Sequence, residues 1–295
     1  MIKKPSVSIC IITYNHVKFI EKSIKSVLSQ KTNFDWELII ADDFSKDGTR
    51  EILFKYKKLH PNKINLIIRD KNVGPCKNFE ELILSAKNDY IAYLEGDDYW
   101  HDKLKIQNQV SFMQKNPECA MSFTSAVVNN LKTNTKKYRN KYKIDKKFTF
   151  KKVLFLGGGF YPSSSLVYKT KLMQNNIKFI SSHSTGDYSL ALVASYFGTI
   201  NYLNFCSTTY IVHDKSMTNS DYDKTYILKK YYDDMNLNIK FAHKCYQKFK
   251  LTKSIKKKIE FREKYLYVRR IYLKIGFIES LKKINLIIDS PYYLL

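Results

Sequence analysis

Three observations predict an α/β fold built on a mostly parallel sheet. Apolar residues switch repeatedly between a period of two and helical spacing across the first 115 residues. The helical stretches are about a dozen residues long, as right-handed crossovers between parallel strands require. Each strand-like run also stops at a cluster of polar residues, where open α/β sheets hold their ligands.

The elements follow in order. Val7 to Thr13 alternates as a strand, and Ile20, Ile24, Val27 and Leu28 then mark one face of a helix. Trp36 to Ala41 is the second strand, followed by a helix carrying Ile52, Leu53, Tyr56 and Leu59, with Asp47 as its expected cap. Ile64 to Ile68 and Tyr90 to Leu94 are further strands, with Phe79, Leu82, Ile83 and Ala86 on the helix between them. Ala120 to Val128 reads as another strand, and the Asn-, Thr- and Lys-rich segment after it as a loop. Gly157 to Gly159 marks a turn, Ser164 to Tyr168 a short strand, Leu190 to Phe197 a short helix, and Thr199 to Leu203 a strand. From Asp221 onward there is no Gly before Gly276 and no Pro before Pro291, and basic residues alternate with apolar ones in the manner of two or three amphipathic helices. The expected organisation is residues 1–128 as one half of a domain, 129–220 as the other, and 221–295 as a basic helical extension.

Composition narrows the function classes. The chain has 295 residues, 44% of them hydrophobic, enough to bury a large core and unlike a disordered or low-complexity profile. Its net charge of +24 comes mainly from Leu131 to Lys152 and from Asp221 to Leu295. Such a field suits nucleic acid, an anionic membrane surface or a phosphorylated substrate. The five cysteines are scattered and never spaced as Cys-x-x-Cys, which argues against a disulfide framework or a zinc site and for a reducing, cytoplasmic setting. No run approaches the ~20 apolar residues of a membrane span, and no signal peptide is evident, so membrane contact is expected to be peripheral. Neither a dinucleotide fingerprint nor a Walker loop is present.

The polar strand ends carry the chemistry. They read Thr13-Tyr14-Asn15, Asp42-Asp43-Phe44-Ser45, Arg69-Asp70 and Glu95-Gly96-Asp97-Asp98. A single Asp in such a place is usually a helix cap. Three carboxylates within four residues, directly after a strand, can instead hold a divalent cation against a diphosphate. Glu95 and Asp97, one residue apart, can point to the same side of an extended segment.

Val7-Ser8-Ile9 with Tyr14-Asn15, then Glu37 to Asp43 with Ser45, Asp47, Gly48 and Thr49, then Leu94-Glu95-Gly96-Asp97-Asp98-Tyr99-Trp100 resemble the successive motifs of family 2 glycosyltransferases of the GT-A fold. The resemblance is strong over the first 120 residues and weaker to about residue 215. It implies an inverting, metal-dependent transfer from a nucleotide-diphosphate sugar to a glycan or lipid-linked acceptor in bacterial surface-polysaccharide synthesis. Tyr14 would border the nucleobase, and Asp43 would accept its imide N–H, which favours a UDP-sugar. Asp97 would bind the cation, Mn2+ or Mg2+, with Glu95 standing where the family usually has Asp and reaching the ion directly or through water. Arg69 is either a nucleotide contact or a solvated strand-end charge. His213 is either a ligand near the diphosphate or a structural histidine. Gly186-Asp187-Tyr188 resembles the catalytic-base motif and makes Asp187 the general base, with a helix N-cap as its alternative role.

The basic tail, with Lys256, Lys257, Lys258, Arg262, Lys264, Arg269 and Arg270, reads as a solvated helical face or as a foot on an anionic cytoplasmic leaflet. A nucleic-acid-binding protein would account for the charge but not for carboxylates at the strand ends. A catalytically inactive sugar-nucleotide binder is the third reading, hinted at by Glu95.

Overall fold

The structure, a computed structural model, describes residues 4–139, 142–156, 159–183, 186–214 and 232–241, together with 257, 260, 261, 263–265 and 267. The remaining tail positions, among them Lys256, Lys258, Arg262, Arg269 and Arg270, lie outside the described residues, as do Gly157, Gly158 and Cys245.

The first half alternates as the apolar periodicity requires. β1 (Ser6–Thr13), α1 (Ile20–Leu28), β2 (Asp35–Asp42), α2 (Thr49–Leu59), β3 (Ile64–Ile68), α3 (Pro75–Ser85) and β4 (Tyr90–Glu95) are followed by the two-residue β5 (Tyr99–Trp100) and α4 (Lys105–Lys115). Then come β6 (Cys119–Asn130), β7 (Thr135–Arg139), β8 (Lys146–Phe148), α5 (Phe150–Leu156), β9 (Val167–Lys169), α6 (Thr170–Ser181), α7 (Gly186–Phe197) and β10 (Thr199–Val212).

Among the described residues one ten-stranded sheet has the order β3-β2-β1-β4-β9-β6-β10-β5, with β7 paired to β6 and β8 to β10. β1 to β4 pair in parallel, as do β6 and β10, while β9 runs antiparallel to both its neighbours. The sheet is buried on both faces, and its strands sort their side chains by the period of two. Val7, Ile9 and Ile11 pack with Ile20, Ile24, Val27, Leu53, Ile106 and Val110 of α1, α2 and α4. Cys10, Ile39, Ile91 and Tyr93 face the opposite layer, where Leu82, Ile83, Met173, Ile177 and Leu192 of α3, α6 and α7 lie.

Four local expectations need correction. Asp47 is not the N-cap of α2. That position is Gly48, at φ 98°, and Asp47 instead accepts hydrogen bonds from the Thr49 backbone N–H and hydroxyl and from Val17 N–H. The Lys-rich segment after β6 is not a loop throughout, because β7 folds back on β6 from Thr135 to Arg139 and β8 pairs with β10. Ser163–Ser165 is a single 3₁₀ turn, and the strand begins only at Val167. β10 continues to Val212, well past Leu203, because its register against β6 shifts around Cys206 and pairing then resumes. The four described cysteines, Cys10, Cys76, Cys119 and Cys206, are free thiols.

Candidate functional site

β1, β2 and β4 end level with one another. Thr13 lies opposite Asp42, and Ile12 opposite Glu95, so the polar residues that follow all emerge on one rim of the sheet. Two strand ends are tied together beyond the last pairs by Asp43 N–H to Thr13 O at 3.0 Å and by Gly96 N–H to Ile12 O at 2.9 Å.

The loop after β1 is stitched to the loop after β2. Asn15, at φ 54°, donates its N–H to Ser45 Oγ at 2.8 Å and accepts Lys46 N–H on Oδ1 at 3.0 Å. His16 donates its N–H to Thr49 Oγ1 at 2.9 Å, and its carbonyl accepts Phe19 and Ile20 N–H at the start of α1. The His16 ring therefore has a fixed origin. Tyr14 sits on the outer lip with 47% of its surface exposed, as a side chain bordering a ligand would.

Asp43 is buried and holds a loop: Oδ1 accepts Val73 N–H at 2.7 Å and Oδ2 accepts Gly74 N–H at 2.9 Å. Arg69 is neither solvated nor pointed at open space. Its Nε donates to Asn78 Oδ1 at 3.0 Å and its guanidinium pairs with Glu81, both on α3. The Arg69 carbonyl is claimed by Arg50, whose Nε also donates to the fully buried Asp42 at 2.6 Å. Arg50 thus bolts the ends of β2 and β3 to α2. No motif announces it.

The segment after β4 sends its three carboxylates in different directions. Asp98 is buried and accepts Ile211 N–H at 2.9 Å, which draws the end of β10 onto this rim. Burial, with Asp97 and Glu95 beside it, pushes the Asp98 carboxyl well up. Two residues beyond Ile211, His213 Nε2 meets Asp97 Oδ2 at 3.1 Å. His16 Nε2 approaches the same oxygen at 3.8 Å. Burial pushes the Asp97 carboxyl up, but the hydrogen bond from His213 and the charge of His16 outweigh it and hold the group below the usual carboxylate range. The His16 ring is held low, by burial first, with Asp97 opposing.

His16, Asp97 and His213 thus offer three ligand atoms that all lie within 4.8 Å of one another. Donors sharing one ion at about 2.1 Å sit about 3.0–3.4 Å apart at octahedral or tetrahedral angles. The His213 approach to Asp97 Oδ2, 3.1 Å, matches that spacing, and the His16 approach, 3.8 Å, would have to close by about half an ångström for all three atoms to share one ion. Glu95 is not in this trio. Its carboxyl is pushed up to about 8 by burial, against a hydrogen bond from Ser163, and the charges of Asp97 and Asp187 add to the rise. Its Oε2 is buried without a hydrogen-bond partner.

Asp187 lies in the first turn of α7, and its backbone carbonyl accepts a hydrogen bond from the buried Tyr161 hydroxyl. Its charge acts on Glu95, Tyr93 and Tyr161, which places it on the second-half side of the same rim. Of the residues singled out in the sequence, Asp97 and His213 come together directly, the charges of Asp97 and Asp187 both act on Glu95, and Asp43 and Arg69 hold the neighbouring loop and helix. His16 was missed. The only sequence signal for it is its place two residues after Tyr14.

Comparison with known proteins agrees with this architecture. The model of the family described as Glycosyl transferase family 2 matches residues 8–177. The Escherichia coli protein named UDP-Glc:alpha-D-GlcNAc-diphosphoundecaprenol beta-1,3-glucosyltransferase WfgD is 35% identical over 124 residues, 42% of this chain and 47% of that protein. Curated relatives align over only 33% to 47% of their own length. Among solved structures, S. aureus TarS 1-349 in complex with UDP-GlcNAc matches with a TM-score of 0.70 at 18% identity, covering 95% of this chain and 79% of that one. The mannosyltransferase PcManGT from Pyrobaculum calidifontis, in complex with GDP-Man and Mn2+, matches at 0.57 and 11% identity, covering 97% and 80%. At such identities the two structures speak for the fold.

Proposed function

Because the chain belongs to glycosyl transferase family 2 and has the GT-A fold, we propose that it moves a sugar from a nucleotide-diphosphate donor, a UDP-sugar, to a glycan or lipid-linked acceptor in bacterial surface-polysaccharide synthesis. The observation that carries this reading is the meeting of His16, Asp97 and His213 on the rim where β1, β2 and β4 end. WfgD, named for transfer from UDP-Glc onto a diphosphoundecaprenol-linked sugar, supports both the donor and the acceptor class.

In this reading residues 1–128 hold the donor and residues 129–220 the acceptor. Tyr14 borders the base, and Asp43 sets the loop around residues 73 and 74 beside it, leaving its remaining lone pairs for the imide N–H. Asp97 and His213 would hold a divalent cation such as Mn2+, with Glu95 adjoining. A cation there would neutralise the charge that grows on the departing nucleoside diphosphate. Asp187, away from the cation ligands, accepts the proton of the acceptor hydroxyl, and attack from that side inverts the anomeric centre. Tyr161 fixes the first turn of α7 and so the placing of that base.

No helix among the described residues is long and apolar enough to cross a membrane. A lipid-linked acceptor would be met at the cytoplasmic face, with the basic extension over residues 221–295 as the peripheral contact.

The test is a thermal-shift panel of UDP, GDP, CDP and TDP with and without Mn2+, on wild type, Asp97→Asn and Asp187→Asn. A UDP shift that needs Mn2+, is lost in Asp97→Asn and persists in Asp187→Asn is expected. Turnover of Asp187→Asn should then fall by about 10²–10⁴. No stabilisation by any nucleotide, or turnover by Asp187→Asn within about tenfold of wild type, would overturn the assignment.

A further inference from the structure

We infer that His16 is a direct ligand of the bound cation, and that the resulting set of two imidazoles and one carboxylate makes the site select a transition-metal ion over Mg2+. The inference rests on the metal-dependent reading above and adds a residue and a selectivity to it.

The placement of His16 is built, not incidental. Its backbone is held at both ends, by N–H to Thr49 Oγ1 and by the carbonyl that starts α1. Its ring is held by Thr13, whose Oγ1 pairs with Nδ1 at 3.2 Å. When Nδ1–H donates to that hydroxyl, Nε2 carries the lone pair, and Nε2 is the atom that faces Asp97. A hydrogen-bonded partner behind the ring is the usual companion of a metal-ligating histidine.

The chain also makes room for this ring at one residue. A Cβ added to Gly96 would stand 2.7 Å from Thr13 Oγ1, 2.8 Å from Thr13 Cβ and 2.9 Å from His16 Nδ1. No other side chain fits between the end of β4 and the Thr13–His16 pair, so the residue before Asp97 is what lets His16 and Asp97 converge. The second imidazole comes from the far end of the sheet. His213 is delivered by the Asp98–Ile211 bond and packs its ring on Phe19, at 4.6 Å between centroids.

The donor chemistry follows. Mg2+ prefers an all-oxygen, octahedral shell and sheds water reluctantly, whereas imidazole nitrogen favours Mn2+, Co2+ and the later ions in rising order. Two nitrogens against one carboxylate oxygen tip the site toward the latter group. Without His16 the set would be one nitrogen and one oxygen, and the preference should shrink.

The experiment is binding of the metal ion alone to the full chain, free of nucleotide. Co2+ is followed by its visible absorption and by calorimetry, and Mg2+ by calorimetry and by competition against Co2+. Wild type should bind Co2+ at least ~10-fold more tightly than Mg2+. His16→Gln should weaken Co2+ by ~10-fold or more and leave Mg2+ within about twofold, narrowing the selectivity. Asp97→Asn should weaken both ions. His16→Asn serves as the second variant, and metal-free thermal unfolding shows which of the two is folded. Co2+ binding by a folded His16 variant equal to wild type, with Asp97→Asn impaired, overturns the role of His16 and leaves the metal-dependent reading intact. Unchanged binding in Asp97→Asn as well would bring down both.

Discussion

Lys105 is wholly buried in the first turn of α4, with Nζ donating to Gln109 Oε1 at 2.8 Å and standing 4.3 Å over the Trp100 ring. Burial pulls its pKa down to about 7, with Asp102 opposing, from 10.5 for the free side chain. In the unfolded chain the ammonium keeps its proton to far higher pH, so the unfolded state binds more protons and stability must rise with pH above 7. Integrating that difference from about pH 7 to about pH 8.5, with the lysine half-protonated in the fold at the start, gives a gain on the order of 1–2 kcal/mol. Lys105→Met keeps most of the volume and removes the titration. Urea unfolding of both proteins at the two pH values and constant ionic strength would measure the gain. The stability of wild type relative to Lys105→Met should increase by roughly 1–2 kcal/mol across the window. Buried cysteines that start to ionise on unfolding near the top of the window do so in both proteins and cancel in the comparison. A difference constant to within about 0.3 kcal/mol would show that Lys105 titrates alike in both states, and would refute the argument.

Two further outcomes follow from geometry already given. Gly96→Ala should destabilise the protein by about 1–3 kcal/mol, since the new methyl meets Thr13 and His16 inside 3 Å, and should weaken Co2+ binding; chemical unfolding and the metal titration check each part. Glu80, on α3, accepts hydrogen bonds from Lys178 and Ser181 of α6, which hold its carboxyl down at about 2 despite burial. Its folded value lies below the unfolded one, so its contribution is complete above about pH 4.5 and is lost as pH falls toward about 2. Glu80→Gln should flatten the acid limb of a stability–pH curve, and an unchanged limb would remove Glu80 from the α3–α6 contact.

What the sequence shows and what it hides divide along physical lines. The first four strands and three helices are legible because each buries one face or both, and that prints a period on the chain. Asp97 was legible from its motif and His213 from its place in the resemblance. His16 was not, because its role depends on Thr13 and Gly96, neither of which has a signature for metal binding. β10 was cut short for a related reason. Its second part contains Ser207, Thr208 and Thr209, which read as loop residues, yet all are buried and their hydroxyls find internal partners: Ser207 with Thr124 at 2.6 Å and Thr208 with Ser164 at 3.0 Å. A polar residue whose partner lies 83 positions away cannot be told locally from one facing water. The hairpin after β6 was hidden by its lysines, which mimic a solvated loop.

Those lysines have a further consequence. β7 pairs with β6 and, among the described residues, with no strand on its other side, so it forms an edge that a second copy of the chain could extend. Lys136 and Lys137 stand in the middle of it, both exposed, and two such strands laid edge to edge would bring like charges together. Part of the large positive charge would thereby oppose self-association, independent of any anionic partner. Surface-charge reduction aimed at curbing non-specific binding should spare this pair, or it will trade stickiness toward polyanions for strand-to-strand aggregation.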